Sequence, residues 1–144
     1  MMLAIDSSSF AHGDVTRDII GAFYDIYNAL GFGFVESVYA NAMPIALTKR
    51  GVSFERERPM CVHYDNIVVG QFRADLVAAK TVIVELKAAD QIAAAHERQL
   101  LNYLRASQLR VGLILNFGPK PAVRRITWTG DTGELTDLGV DTNG

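Results

Sequence analysis

Apolar residues first fall into step at Val15, Ile19, Ile20, Phe23, Ile26, Tyr27 and Leu30. Steps of three and four place them on one face of a helix, which Asp14 or Thr16 can cap and Gly31 can stop. The residues before Asp14, with Ser7-Ser8-Ser9 and His12-Gly13, read as a flexible lead-in. After the Gly31-Phe32-Gly33 joint, Val35, Val38, Tyr39, Ala42, Met43, Ala46 and Leu47 repeat the helical spacing up to Lys49-Arg50-Gly51, a basic last turn followed by glycine. Pro44 falls inside that pattern, where it removes a backbone hydrogen bond and crowds the preceding turn, so a kink or two shorter helices is expected.

From Val52 the period shortens. Phe54 to Arg58 leads into Met60 to Tyr64, and Asp65-Asn66 then turns the chain into Ile67 to Val69. Further strands are expected at Gln71 to Val77 and Thr81 to Lys87. Helical spacing returns from Ile92 to Ala106 with Leu100, Leu101 and Leu104 as its inner face. Val111 to Leu115 is an unbroken apolar run, the pattern of a strand covered on both faces. Val123 to Trp128 alternates and reads as an edge strand. The order ααββββαββ, without repeats or linkers, predicts a single-domain α/β fold: a mixed central sheet flanked by helices, spanning residues 14–129, between the lead-in 1–13 and an acidic tail 130–144.

At 144 residues the chain is long enough for one real core, since a domain of this size buries about 68% of its extended-chain surface. With one cysteine, Cys61, neither a disulfide framework nor a multi-cysteine zinc site is available. No apolar run reaches membrane-span length and no basic, then apolar, leader opens the sequence, so a soluble cytoplasmic protein is expected. The net charge of −2 does not advertise nucleic acid. All 14 basic residues nevertheless lie between Arg17 and Thr129, and six of the 16 acids lie outside that stretch, which leaves a mildly basic middle.

The chemistry concentrates on two strands. In Gln71 to Val77, period-two alternation sets Arg73 and Asp75 against Phe72, Ala74 and Leu76. In Val82-Ile83-Val84-Glu85-Leu86-Lys87, a carboxylate and an ammonium interrupt a strand otherwise fit for burial. Such groups are usually paired or bound to metal, because an unpartnered buried charge costs several kcal/mol. A surface ion pair is the plain reading of Glu85 and Lys87 alone. With Asp75 on the neighbouring strand, two carboxylates beside a lysine can hold a hard divalent ion while the lysine faces developing negative charge. Asp75 and Glu85 share a face only if the hairpin loop is odd, such as Ala79-Lys80-Thr81, or carries a bulge. Glu36 opens the second helix, a favourable place for an acid in any case. Gln99 and Tyr103 stack four apart on one helix face. Cys61-x-His63 is too small a set for zinc.

Gly33-x-x-Glu36-x-x-Tyr39, Arg73-Ala74-Asp75, Val84-Glu85-Leu86-Lys87 and His96-x-x-Gln99-Leu100-Leu101-Asn102-Tyr103, in that order, resemble the GxxExxY proteins of the PD-(D/E)XK nuclease superfamily. Leu115-Asn116-Phe117-Gly118 fits that family's closing strand, and the resemblance covers roughly Ile19 to Ile126. It implies a restriction-endonuclease-like core and magnesium-dependent phosphodiester hydrolysis, with Mn²⁺ as a substitute. By the same resemblance Asp75, Glu85 and Glu36 would hold the ion and Lys87 would orient or activate water. Gln99 and Tyr103 would position the scissile strand or support the ion-binding groups from behind.

The function expected is therefore a metal-dependent nuclease acting on DNA in preference to RNA, with no membrane partner and with its oligomeric state left open. Arg73, His96, Tyr103 and Arg124 are the expected substrate contacts, with Arg50, Arg56, Arg58, Lys120 and Arg125 as further phosphate candidates. Two rivals belong to other classes. One is a non-catalytic nucleic-acid- or partner-binding module on the same fold. The other is a small structural protein whose acids form an ion-pair network.

Overall fold

A computed structural model describes residues 7–130 of the 144, with side chains described from residue 15. The expected lead-in up to residue 6 and the tail from residue 131 lie outside the described residues.

Helix α1 (Ser7–Leu30) starts upstream of Asp14 and Thr16, so these residues lie within the helix instead of capping it, and residues 7–13, expected as a flexible lead-in, form its first turns. Gly31 ends it in the left-handed region at φ 70°, its N–H reaching the Tyr27 carbonyl at 2.8 Å. Helix α2 (Glu36–Lys49) runs as one element with Pro44 inside it; two shorter helices are not formed. Strands β1 (Phe54–Tyr64) and β2 (Ile67–Ala78) form a long antiparallel hairpin. Its tip is the two-residue turn Asp65-Asn66, both residues at positive φ (55° and 65°), as a type I′ turn requires.

Strand β3 (Val82–Lys87), helix α3 (Ala94–Ser107), strand β4 (Val111–Phe117) and strand β5 (Pro121–Thr127) complete the chain. The sheet order is β1-β2-β3-β4-β5, with β3 and β4 parallel and every other pair antiparallel. Three strands, not four, therefore precede α3. The segments either side of Gly70 are one strand, because Gly70 stays in the ladder opposite Val62 and a bulge between Val62 and His63 absorbs the irregularity.

Two cores sandwich the sheet. Ile19, Phe23, Tyr39, Met43 and Leu47 of α1 and α2 pack on Leu76, Val82, Val84, Leu86, Leu113, Leu115 and Phe117. On the other side Leu100, Leu101 and Leu104 of α3 pack on Val77, Ile83, Ile114, Ile126 and Trp128. Every residue of β4 is buried, and β5 is an edge, both as the pattern requires. The alternation expected in β2 breaks at Asp75. Phe72 and Ala74 join the α3 core while Leu76 and Ala78 join the opposite one, so Phe72, Ala74 and Leu76 do not share a face. On the facing strand Glu57 takes φ 49°, a local twist in β1 between the pairs Arg56↔Leu76 and Arg58↔Ala74.

Candidate active site

The loop between β2 and β3 is Ala79-Lys80-Thr81, closed by the pair Ala78↔Val82. Its odd length puts Asp75 across from Glu85, one step past the last regular pair, Leu76↔Val84. There the β2–β3 ladder stops and the side chains take over its hydrogen bonds. The Asp75 amide donates to Glu85 Oε2 at 3.1 Å, and the Leu86 amide donates to Asp75 Oδ2 at 2.8 Å. The sheet forks at this point, and the carboxylates satisfy amides that strand carbonyls would otherwise hold.

Burial governs the electrostatics of the fork. Glu85 is 7% exposed. Desolvation, then the Asp75 charge, push its carboxyl up to about 8, against the opposing pull of the Asp75 amide and Lys87. Asp75 is also raised, first by desolvation and then by Glu57, while the Leu86 amide and Lys87 oppose. Glu36, at the first turn of α2, lies on the surface, yet partial desolvation and the Asp75 charge raise it, while Lys87 and His96 pull it down. Lys87 makes no contact ion pair among the described residues, but it sits within electrostatic reach of all three carboxylates. Two carboxylates on the split strands and one lysine thus sit together, with Glu36 of α2 within electrostatic reach of them.

The third carboxylate stands apart from the other two. Among the described residues no three His, Cys, Asp or Glu side chains close into a ready-made cage. The donor set still fits magnesium, which takes one or two carboxylates and fills its shell with water and substrate oxygen. Mutually repelling, desolvated carboxyls at the fork are also the groups a divalent cation would relieve.

The structure gives the remaining candidates distinct surroundings. The Ala93 amide donates to His96 Nδ1 at 3.2 Å, which leaves Nε2 as the ring's proton-bearing nitrogen when the imidazole is neutral. Gln99 is exposed and its side chain makes no hydrogen bond among the described residues. The Tyr103 ring stacks on Phe72 (centroids 3.8 Å apart, 9° between planes), and its hydroxyl is raised by burial and by the charges of Glu85 and Asp75. Arg73 turns to β1 and donates to the Glu57 carbonyl at 3.2 Å. Arg124 pairs with Glu97 of α3 at 2.7 Å, so its charge is already compensated. Arg50 staples α2 to Asp25 and Asp18 of α1, on the side of the sheet away from α3, which makes it architecture instead of a phosphate contact. Arg56, Arg58 and Arg125 likewise have protein partners, Asn41, Glu55 and Thr16.

Sequence reasoning missed the supports. Tyr39 of the Gly33-x-x-Glu36-x-x-Tyr39 motif is fully buried, stacks on Phe117 at 4.1 Å, and donates to the Gly31 carbonyl at 2.7 Å. Its hydroxyl also accepts the Phe34 amide at 3.3 Å, so the motif's tyrosine pins the loop that delivers Glu36. Asn116, fully buried beside Lys87 in the β3–β4 register, grips the connector after β3: its Oδ1 accepts the Ala89 amide at 2.9 Å and its Nδ2 donates to the Ala89 carbonyl at 3.0 Å. Gly118 lets that carbonyl approach, since a Cβ there would stand 2.1 Å from it. A polar residue in an otherwise apolar buried strand was the available signal.

Comparison with known proteins bears on the family and the fold. No curated protein matches the chain. Among solved structures, the protein SSO0001 aligns over 74% of this chain and 56% of its own, at 20% identity and TM-score 0.56. The chain thus spans little more than half of that relative's length, and the likeness is one of fold. Hjc, a Holliday junction resolvase from Archaeoglobus fulgidus, aligns over 63% of this chain and 75% of its own at 18% identity, with a TM-score of only 0.39. A family model described as the PD-(D/E)XK nuclease superfamily matches residues 13–126, which takes in the fork, the α2 motif and α3. With that match and a restriction-endonuclease-like core, the chain belongs to the PD-(D/E)XK nuclease superfamily.

Proposed function

We propose that this protein is a metal-dependent nuclease of the GxxExxY type that hydrolyses phosphodiester bonds, with DNA as the preferred substrate. The observation that carries the reading is the fork itself, where Asp75 and Glu85 exchange hydrogen bonds with each other's strands and Lys87 sits beside them without a contact ion pair among the described residues. A structural ion-pair network would pair that lysine directly and lower the carboxyls. Here burial and repulsion raise them, so their charged forms are relieved by binding a proton or a cation.

Asp75 and Glu85 would hold the ion, with Glu36 completing the set from α2 directly or through water. Bound there, Mg²⁺ or Mn²⁺ would polarise the phosphate and lower the pKa of water. Lys87 supplies a positive group against negative charge developing on the phosphate and orients the attacking water. His96, in the first turn of α3 and within electrostatic reach of Glu36, offers a further N–H donor. Gln99 and Tyr103, a turn apart on α3, line the approach and position the strand. The test is cleavage of labelled single- and double-stranded DNA and RNA with Mg²⁺, Mn²⁺ or chelator. Metal-dependent product supports the reading. Salt-dependent binding without cleavage in any metal would replace it with the non-catalytic module.

A further inference from the structure

The cavity between the hairpin and α3 shares only Asn102 and Tyr103 with the motifs. It measures about 490 Å³ and is lined by Val62 and His63 of β1 and by Asn102, Tyr103, Arg105 and Ala106 of α3. That volume lies in the range of ordinary small-ligand sites. Its lining has three distinct parts. Val62, Ala106 and the Tyr103 ring make an apolar wall, and that ring stacks on Phe72. Asn102 contributes an exposed amide, with both donor and acceptor. Arg105 and His63 contribute a guanidinium and an imidazole at the rim, and among the described residues the Arg105 guanidinium has no ion-pair partner.

An apolar wall, an amide and a free guanidinium match the parts of a nucleotide: a flat base, its hydrogen-bonding edge and its phosphate. Position argues the same way. Tyr103 lines the cavity and also feels the charges of Glu85 and Asp75, so cavity and fork are neighbours along α3. Gln99 lies one turn nearer the start of the helix and Arg105 half a turn further on, a span of ~9 Å at 1.5 Å per residue. A concave site of this size admits one unstacked nucleotide and not a base pair within a duplex.

We propose that the cavity at Val62, His63, Asn102, Tyr103, Arg105 and Ala106 is a subsite for an unpaired nucleotide of the substrate strand, adjoining the scissile phosphate. The proposal rests on the nuclease reading for its strand, and it adds a substrate class: single-stranded or frayed nucleic acid in preference to intact duplex.

Binding of short fluorescein-labelled single-stranded and duplex oligonucleotides is measured by anisotropy in chelator, over a series of salt concentrations. The proteins are the wild type, Arg105→Ala, Asn102→Ala and the charge control Lys49→Ala on α2, across the sheet. All three substituted side chains are exposed, and circular dichroism melts verify that each variant folds. The wild type should favour the single strand. Arg105→Ala and Asn102→Ala should each weaken single-strand binding by about five- to twentyfold, Arg105→Ala should lower the salt slope by about one, and Lys49→Ala should bind as the wild type. Wild-type affinity in both cavity variants, or equal losses in Arg105→Ala and Lys49→Ala, overturns the subsite while metal-dependent cleavage by the wild type leaves the nuclease reading standing. Binding that depends on Arg105 and Asn102 without cleavage in any metal keeps the subsite and overturns the catalytic reading. A wild type that binds no oligonucleotide overturns both.

Discussion

Replacing Glu85 by glutamine should stabilise the metal-free protein at alkaline pH. Glu85 is almost completely buried, and its carboxyl is raised from 4.5 to about 8 by desolvation and by Asp75. A carboxyl whose folded value exceeds its unfolded value binds its proton more tightly in the native state. Its contribution to stability is therefore intact below pH 4.5 and is lost as pH climbs toward 8. At about 1.36 kcal/mol per unit the ceiling of that loss is ~5 kcal/mol. Glutamine keeps the shape and can still accept the Asp75 amide, but it buries an NH₂ group that costs about 1–3 kcal/mol if unpartnered. The net gain expected at pH 9 is roughly 1–3 kcal/mol, or some 3–10 °C for a chain of this size. Near pH 4 the glutamine should give no advantage. The assay is thermal melting of both proteins in chelator from pH 4 to 9. A variant that melts below the wild type at pH 9, or two parallel profiles, would refute the claim that Glu85 is a strained, desolvated acid.

Three further outcomes follow from the same geometry. Asp75→Asn should raise the melting temperature in chelator, by an amount near ~1 kcal/mol for one relieved repulsion, and lose the magnesium response; the wild type should gain about 2.7 kcal/mol at a hundredfold excess of ion over Kd. Lys87→Ala should fold but cleave about two to four orders of magnitude more slowly, since a positioned cation is gone; wild-type turnover in a gel assay would reduce Lys87 to a surface charge. Asn116→Ala leaves both polar groups of Ala89 unpartnered and should cost about 2–4 kcal/mol by denaturant unfolding, whereas a loss under ~0.5 kcal/mol, the range of ordinary surface changes, would show that the connector does not depend on the clamp.

The parts of this molecule legible in the sequence are those that local pattern determines. The Asp65-Asn66 turn, the odd Ala79-Lys80-Thr81 loop and the fully covered Val111 to Leu115 run all follow from short-range steric and burial rules, and all three are present. The break in alternation at Asp75 is not local: the twist in β1 at Glu57 carries Phe72 and Ala74 to one core and Leu76 to the other. Tertiary context likewise holds α2 together as one helix despite Pro44. Motif spacing placed Asp75, Glu85 and Lys87 at the fork, with Glu36 within electrostatic reach from α2, because each sits at a defined step on a regular element. Spacing was silent on cations. Whether an arginine is free for phosphate depends on partners distant in sequence, as Glu97 is to Arg124 and Asp25 to Arg50.

The most direct test compares cleavage by wild type and Glu85→Gln, purified side by side, on one labelled DNA with Mg²⁺ and with chelator. The wild type should cleave only with the metal. The glutamine variant, folded and at alkaline pH the more stable of the two, should fall by at least about a hundredfold, the scale of a lost transition-state contact. Equal rates in the two proteins would place catalysis outside the fork and contradict the account.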